Sequence, residues 1–147
     1  MIKSRKKRIG IFGGSFDPPH RGHLEISKLA IEKLHLNQIY WCITKKNPLK
    51  KKSFFSLSDR IKKSKDITNK INKIKIKFFE DKVKSINSID LIKYLIRKNT
   101  KIIFFFIIGS DNLIKFHKWK NWKLLLELTE IVVFSRKDYD RKAKKSV

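Results

Sequence analysis

The sequence predicts an α/β domain in which a doubly wound parallel sheet of about five strands carries helices on both faces. Stretches with the hydrophobic period of a strand alternate with stretches of helical period along most of the 147 residues. Residues 102–108 contain no polar side chain, as is typical of a central parallel strand that is covered on both faces. The chain length suits one domain rather than two.

The first half of the chain predicts two strands, two helices and a loop. Residues 8–12 are a short apolar run that two glycines end, which predicts a buried strand, and residues 22–33 repeat apolar side chains at helical spacing. Residues 38–44 predict the second strand. The basic, proline-containing residues 45–55 predict a loop. A capping-box spacing opens the second helix, over residues 56–69.

The second half continues the same alternation. Isoleucine and phenylalanine alternate with lysine over residues 74–78 and predict a third strand. A helix is expected over residues 88–99, then the apolar fourth strand, then two helical pieces over residues 110–128 and a fifth strand over residues 130–134. This order of elements is Rossmann-like, and ligands on such sheets bind beyond the carboxyl ends of the strands.

Charge is the most unusual feature of the composition. Lysine and arginine number 37 against 13 acidic residues, a net charge of +24, yet 41% of residues are hydrophobic, which excludes a disordered basic tail protein. A nucleic-acid surface is one interpretation. However, 30 of the 37 basic residues are lysine, spread along the chain, and Ile, Phe and Asn are frequent while Ala, Gly and Pro are scarce. We therefore favour a drift toward A/T-rich codons over a dedicated nucleic-acid partner.

The sequence also predicts a cytoplasmic protein without a membrane segment. Its longest apolar run has seven residues, too short to cross a bilayer, and the glycines after the first strand break the only candidate signal peptide. The one cysteine, Cys42, excludes an internal disulfide and is expected in the core. Residues 1–147 are interpreted as a single domain with a basic lead over 1–7 and a charged, frayed tail over 136–147.

The most informative motif follows the first strand. Residues 13–23 read Gly-Gly-Ser-Phe-Asp-Pro-Pro-His-Arg-Gly-His and match no dinucleotide, Walker or serine-elbow pattern. Gly13 and Gly14 would let a ligand approach the backbone and would adopt angles that a side chain forbids. His20 and His23 fall at the start of a helix, where unpaired N–H groups favour an anion. Both imidazoles are therefore expected to donate to phosphate oxygens.

A zinc site is the competing explanation of this histidine pair. Zinc needs two further ligands, and the remaining candidates His35, Cys42 and His117 are scattered along the chain. We therefore expect no protein-held metal.

These residues resemble a known family. Residues 13–18 with His20-Arg-Gly-His23 resemble the His-x-Gly-His signature of the nucleotidyltransferase superfamily. Further segments, in the right order, resemble bacterial nicotinate-nucleotide adenylyltransferases: Asn47-Pro-Leu-Lys50, Ser85-Ile-Asn-Ser-Ile-Asp90, Gly109-Ser-Asp-Asn-Leu113, His117-x-Trp119-x-x-Trp122 and Arg136-Lys-Asp-Tyr139.

The resemblance implies transfer of AMP from ATP to nicotinate mononucleotide, with Mg²⁺ carried by ATP and no covalent intermediate. It implies His20 and His23 as the catalytic pair. The ATP side would be formed by Gly13, Gly14, Ser15, Phe16, Gly22, Gly109, Asp111 and Arg136. The mononucleotide side would be formed by Lys50, Asn87, Ser88, Ile89 and Trp119, with Trp119 stacked on the pyridine ring.

Some of these roles have alternatives. Lys50 is either a phosphate contact or another solvated lysine, and Asp111 either holds a ribose hydroxyl or caps the helix that follows. Trp122 is expected in the core, on the same helix face as Trp119.

The family also carries a C-terminal Ile-Ser-Ser-Thr-x-Ile/Val-Arg signature, which residues 1–147 lack, and Arg136 is expected to replace its arginine in part. The alternatives to the nicotinate enzyme are a phosphopantetheine adenylyltransferase, a shortened nucleotide-binding remnant with little activity, and a basic nucleic-acid-binding protein. An oligomer that supplies the missing element remains open.

Overall fold

A five-stranded parallel sheet forms the centre of the molecule. The computed structural model describes residues 6–45 and 53–135, apart from the side chain of Asp111. Within them the strand order is β3-β2-β1-β4-β5, and the bounds are β1 Lys7–Gly14, β2 Gln38–Ile43, β3 Ile74–Lys77, β4 Ile102–Gly109 and β5 Glu130–Phe134. The chain runs outward from β1 to β3 and then from β4 to β5, as in a doubly wound sheet. The predicted fold class is confirmed.

Helices connect the strands. The helices of the described chain are α1 Arg21–Leu34, α2 Leu57–Thr68, α3 Glu80–Val83, α4 Ser88–Lys98, α5 Ser110–Leu113, a 3₁₀ turn Phe116–Lys118 and α6 Trp122–Leu128. The predicted capping of α2 is confirmed, because the Ser56 hydroxyl accepts from the backbone N–H of Asp59 at 3.1 Å. The one-turn helix α3 has no counterpart in the sequence prediction, since four residues are too few to show a helical period.

The segment between β4 and β5 differs from its prediction. Three short pieces replace the two expected helices, because Trp119 has extended backbone (φ −75°, ψ 142°) and Asn121 is left-handed (φ 51°). The prediction that Trp119 and Trp122 share a helix face is therefore wrong.

Alternate strand residues build two apolar cores on opposite faces of the sheet. Phe105 and Ile107 of β4 pack on the face covered by α1, whereas Phe104, Phe106 and Ile108 pack on the face covered by α4. This arrangement confirms helices on both faces and explains why residues 102–108 need no polar side chain. Cys42 is buried in the second core, as predicted. In the described ranges no helix has the length and apolarity to cross a membrane.

The sheet topology places a crevice between β1 and β4. These strands are parallel neighbours, with Phe12 opposite Ile107. The connection after β1 leads to β2 on one side of the pair, whereas the connection after β4 leads to β5 on the other side. Gly14 and Gly109 therefore end adjacent strands at the same edge. Such a switch point is where open α/β sheets bind ligands.

Candidate active site

The two glycines that end β1 contribute space rather than special backbone angles. Gly13 and Gly14 keep strand conformation, and no glycine of the described chain has positive φ. The expectation of forbidden angles is therefore wrong. A Cβ added to Gly13 would meet nothing nearer than the Cys42 carbonyl oxygen at 4.0 Å, its own chain neighbours aside. The strand end can thus lie against a ligand.

Phe16 takes the left-handed conformation in this turn instead. Its φ is 49°, a region that costs a non-glycine residue about 1–2 kcal/mol. Its ring is buried, stacks on Trp41 with 4.7 Å between centroids and lies 4.6 Å from the His23 ring. Only the backbone of Phe16 is therefore available for the predicted contact with ATP.

His20 and His23 form a reciprocal cap at the start of α1. The backbone N–H of Gly22 donates to His20 Nδ1 at 3.0 Å, and the backbone N–H of His20 donates to His23 Nδ1 at 3.0 Å. Because both Nδ1 atoms accept, each neutral ring carries its proton on Nε2. The ring centroids are 3.9 Å apart, so the two rings that carry these donors pack against each other.

His23 is held in the neutral form. Burial, and secondarily the nearby His20, lowers its pKa from 6.5 to about 3. Its backbone carbonyl accepts from the Ser27 hydroxyl, which in turn accepts from the indole N–H of Trp41. These bonds fix the first turn of α1, so the ring of His23 is a neutral, pre-oriented hydrogen-bond donor.

The N-terminus of α1 is suited to an anion. The first turn holds no acidic side chain, so nothing there offsets the positive end of the helix dipole. This helix of 14 residues begins at the two imidazole donors. Anion binding at such a position is the expected chemistry.

Beside this cap, the strand ends enclose a cavity of about 280 Å³, near the lower end of the ~300–1,000 Å³ typical of small-molecule pockets. Six predicted site residues line it: Gly13, Gly14, Ser15, Asn87, Ser88 and Trp119. His20, Gly22 and His23 do not line it and form the adjoining cluster at the start of α1. The structure thus separates the predicted residues into an anion site and a cavity joined by the β1–α1 turn.

Trp119 forms one wall of the cavity. It is half-buried and packs edge-on against Phe106 and at a tilt against Phe116, with centroid distances of 5.9 and 5.2 Å. The Trp122 ring packs edge-on against Phe116 with 5.9 Å between centroids, but Trp122 is only partly buried and lies at the margin of the core rather than within it, as was predicted. A partly exposed indole that its neighbours hold in place is suited to stacking on a flat ring.

The start of α4 also lines the cavity. Asn87 is the N-cap residue, and the first-turn N–H groups of a helix have no partner in an earlier turn. The Ser85 hydroxyl donates to Asp90 Oδ2 at 2.6 Å and accepts from the Asn87 N–H at 3.1 Å. The Ile89 side chain is buried in the core, so only its backbone can face a ligand.

Glu80 is a cavity residue that the sequence analysis did not identify. Its Oε2 accepts from the Lys45 backbone N–H at 3.1 Å, while Oε1 is buried without a hydrogen-bond partner in the described structure. Burial raises the pKa of this carboxyl above its ordinary value. The contact joins residues 35 apart in sequence, and no local pattern signals it.

Three predicted site residues are described only in part or not at all: Asp111 is the second residue of α5, and only its backbone is described. Lys50 and Arg136 lie outside the described residues, as does the side chain of Asp111. Gly109 ends β4, and a Cβ added there would meet nothing within 4 Å. Over the described ranges no group of three or more His, Cys, Asp or Glu residues is arranged to hold a metal ion.

A family model and several known proteins match this chain. The family model described as cytidylyltransferase-like matches residues 11–147. The chain is 51% identical over 146 residues to a nicotinate-nucleotide adenylyltransferase of Pelagibacter ubique (strain HTCC1062), covering 99% of this chain and 81% of that protein. It is 34% identical over 128 residues to one from Ruegeria sp. (strain TM1040), covering 87% and 67%.

Solved structures share the fold. A nicotinate-nucleotide adenylyltransferase from Vibrio parahaemolyticus superposes with a TM-score of 0.75 at 19% identity, covering 89% of this chain and 75% of that one. Nicotinic acid mononucleotide adenylyltransferase from Plasmodium falciparum, solved with NaAD, has a TM-score of 0.70 at 19% identity, covering 88% and 75%.

The doubly wound sheet and the His-x-Gly-His cap beyond β1 define a nucleotidyltransferase. Identity of 51% to a relative of which the chain covers 81% narrows the class further. The chain belongs to the nicotinate-nucleotide adenylyltransferase family.

Proposed function

We propose that this protein transfers AMP from ATP to nicotinate mononucleotide, giving deamido-NAD and pyrophosphate. The observation that carries the proposal is the pair of Nε2–H donors of His20 and His23, fixed at a helix N-terminus next to a cavity with an indole wall. Membership of the family supports the choice of substrates. Mg²⁺ enters as part of the substrate, bound to ATP.

The reaction needs no protein nucleophile. A 5′-phosphate oxygen of the mononucleotide attacks the α-phosphorus of ATP, and the bond from that phosphorus to the bridging oxygen breaks as pyrophosphate leaves. The attacking phosphate is already anionic, so no base has to remove a proton. Burial raises the pKa of the Cys42 thiol to about 12, which leaves it un-ionised at neutral pH. Catalysis then rests on positioning and on stabilising charge.

The histidine pair supplies that stabilisation. Nε2–H of His20 and of His23 donates to oxygens on the α-phosphoryl group, whose negative charge is redistributed during transfer. The N–H groups of the first turn of α1 and the helix dipole act in the same direction. Since His23 is neutral, its donor adds no fixed charge that would have to be desolvated when substrate binds.

The cavity receives the pyridine nucleotide. Trp119 stacks on the pyridine ring, and the backbone N–H groups of Ser88 and Ile89 bind the ring carboxylate. The Asn87 N–H, predicted in the same role, already donates to the Ser85 hydroxyl. Gly13, Gly14 and Ser15, which were predicted on the ATP side, line the same cavity, and the absence of side chains at the glycines gives room for the two nucleotides to meet there. Contacts from Lys50, Asp111 and Arg136 stay predictions, as do a cytoplasmic location, an oligomer and the absence of a nucleic-acid partner.

One assay tests the substrates. Purified protein is given MgATP with nicotinate mononucleotide, its amide analogue or phosphopantetheine, and pyrophosphate release is measured. Release with nicotinate mononucleotide is expected. Release with phosphopantetheine alone would overturn the substrate assignment, and no release with any acceptor would favour the inactive remnant. Salt-sensitive DNA binding without turnover would favour a nucleic-acid-binding protein.

A variant pair tests the role of the histidines. His20→Ala removes both the helix cap and the Nε2 donor, whereas His20→Asn restores a side chain that caps well and still lacks the donor. We expect both variants to lose at least about 100-fold in kcat, as removal of one oxyanion donor does, with His20→Asn the more stable of the two. Full activity in His20→Asn would show that His20 acts only as a cap.

A further inference from the structure

The guanidinium of Arg60 is buried beneath the β1–α1 turn. Arg60 is the fourth residue of α2 and only 1% exposed. It donates to backbone carbonyls from three separate segments: Nη1 to Ser15 O at 2.8 Å and Thr44 O at 2.6 Å, Nη2 to Lys45 O at 2.6 Å, and Nε to Phe55 O at 3.1 Å. One side chain therefore ties the ends of β1 and β2 to the chain just before α2.

A buried cation is a costly way to fill this space. Over the described ranges no carboxylate lies within 4.0 Å of Arg60, and Glu80 interacts with it only through a longer-range field. Packing by an apolar side chain would avoid the desolvation of the charge. What only a guanidinium provides is a planar fork that binds several carbonyls in one fixed arrangement.

A series of contacts connects Arg60 to the histidine pair. Ser15 O is held by Arg60, and the next residue, Phe16, places its buried ring against His23 at 4.6 Å between centroids. A second contact holds the other side of the turn: the Asp17 carboxylate accepts from the N–H groups of Phe54 and Phe55 at 2.6 and 2.8 Å. The turn is thus fixed at both ends to the segment in front of α2.

We propose that Arg60 is a positioning residue for nucleotidyl transfer: by holding the Ser15, Thr44, Lys45 and Phe55 carbonyls it sets the place of the Phe16 ring, and through it the orientation of the His23 donor. Arg60 contacts no substrate in this role. The inference rests on the proposed function for its catalytic consequence, and on the geometry alone for its effect on the rings.

Two substitutions separate geometry from charge. Arg60→Lys keeps the charge and the aliphatic stem but loses the fork, and Arg60→Gln keeps two N–H donors without the charge. A displacement of about 1 Å costs on the order of 100-fold in rate, so kcat is expected to fall about 100-fold in both, with KM for either nucleotide changed much less. Retention of full kcat in Arg60→Lys would show that the charge, not the fork, matters, and would overturn the proposal.

Thr68→Val is the matched control. Thr68 is buried at the opposite end of the same helix, and its hydroxyl donates to the Ser64 carbonyl at 2.7 Å. The variant loses a buried hydrogen bond and some thermal stability, but its kcat per folded molecule is expected to be unchanged. An equal loss of kcat in Thr68→Val would mean that destabilising α2 is sufficient, and would overturn the assignment to Arg60.

Ring nitrogen NMR gives a readout that does not depend on turnover. In the unchanged protein both neutral rings are expected as Nε2–H tautomers, and the pKa of His23 is expected at about 3. When the Ser15 carbonyl is released, the Phe16 ring no longer shields His23, and its titration midpoint is expected to rise by at least about one pH unit. Unchanged ring spectra in a folded Arg60 variant would overturn the proposal even if the protein had another substrate. Failure of both variants to fold would also overturn it, by assigning Arg60 to stability.

Discussion

Gly10 and Gly13 lie on the same strand and should respond to alanine in opposite ways. A Cβ on Gly10 would stand 2.7 Å from Ile107 Cδ1, 2.8 Å from Leu36 Cδ1 and 3.2 Å from Ile39 Cγ1, all of which belong to fully buried side chains. Overpacking of a core costs about 1–3 kcal/mol. We expect Gly10→Ala to lose that amount of unfolding free energy, since the first two contacts are flexible side-chain ends that can shift only against a closed core.

Gly13→Ala should leave the fold intact and damage the site. Its Cβ meets no protein atom nearer than 4.0 Å beyond its chain neighbours, and the backbone is not left-handed. The unfolding free energy should be unchanged or rise by about 0.4–1 kcal/mol, because alanine restricts the unfolded chain. The added methyl occupies cavity space at the strand end, so KM should rise by at least about tenfold, a loss of 1.4 kcal/mol in binding.

Denaturant unfolding and steady-state pyrophosphate release measure both variants. We expect opposite effects: lower stability with near-normal kcat and KM per folded molecule in Gly10→Ala, and normal stability with weakened substrate binding in Gly13→Ala. If Gly13→Ala bound both nucleotides normally, the cavity would not be the nucleotide site. If Gly10→Ala were as stable as the unchanged protein, the core around β1 would be looser than the distances indicate.

Three further outcomes follow from single side chains. The folded state keeps His23 neutral down to about pH 3, whereas the unfolded chain takes up a proton below the ordinary pKa of about 6.5. His23 should therefore lower the unfolding free energy by on the order of 3 kcal/mol between pH 7 and pH 4. In His23→Gln the fall should be smaller by about that amount, and an identical fall would contradict the lowered pKa of His23. Glu80→Gln keeps an acceptor for the Lys45 N–H and removes a carboxylate with an unpartnered oxygen. The variant should therefore be at least as stable as the unchanged protein at pH 8, and its KM for the anionic nucleotides should be lower. A raised KM would instead indicate that Glu80 binds substrate. Trp41→Phe removes the 2.8 Å bond to the Ser27 hydroxyl and should cost about 1–2 kcal/mol in denaturant unfolding; no cost would mean that the bond does not anchor α1.

The features predicted well from sequence depend on residues close together along the chain. The apolar residues 102–108 could only suit a strand covered on both faces, and they became β4 at the centre of the sheet. The Ser56 cap and the period of α1 are equally local signals. The alternation of strands and helices predicted the doubly wound parallel sheet, because parallel neighbours need crossover connections, but it did not predict the strand order β3-β2-β1-β4-β5.

The features that were missed depend on contacts between distant segments. Arg60 bonds to Ser15 across 45 residues, and in the sequence it is one of many basic residues on an amphipathic helix. Glu80 contacts Lys45 in the same way. Two helical pieces were expected over residues 110–128, but the position of the break was not predicted; it lies at Trp119, whose backbone is extended and whose ring packs against Phe106 of β4.

The histidine pair shows why this motif marks an anion site rather than merely a helix start. An ordinary capping box places a hydroxyl at the N-cap and a carboxylate three residues later, and that negative charge would neutralise the helix end and repel a phosphate. Here His20 and His23 make the same two reciprocal bonds through Nδ1, without charge on His23, and keep both Nε2–H groups for a ligand. The cap therefore stabilises the helix and leaves its positive end for a phosphate, which a Ser-x-x-Glu cap could not do.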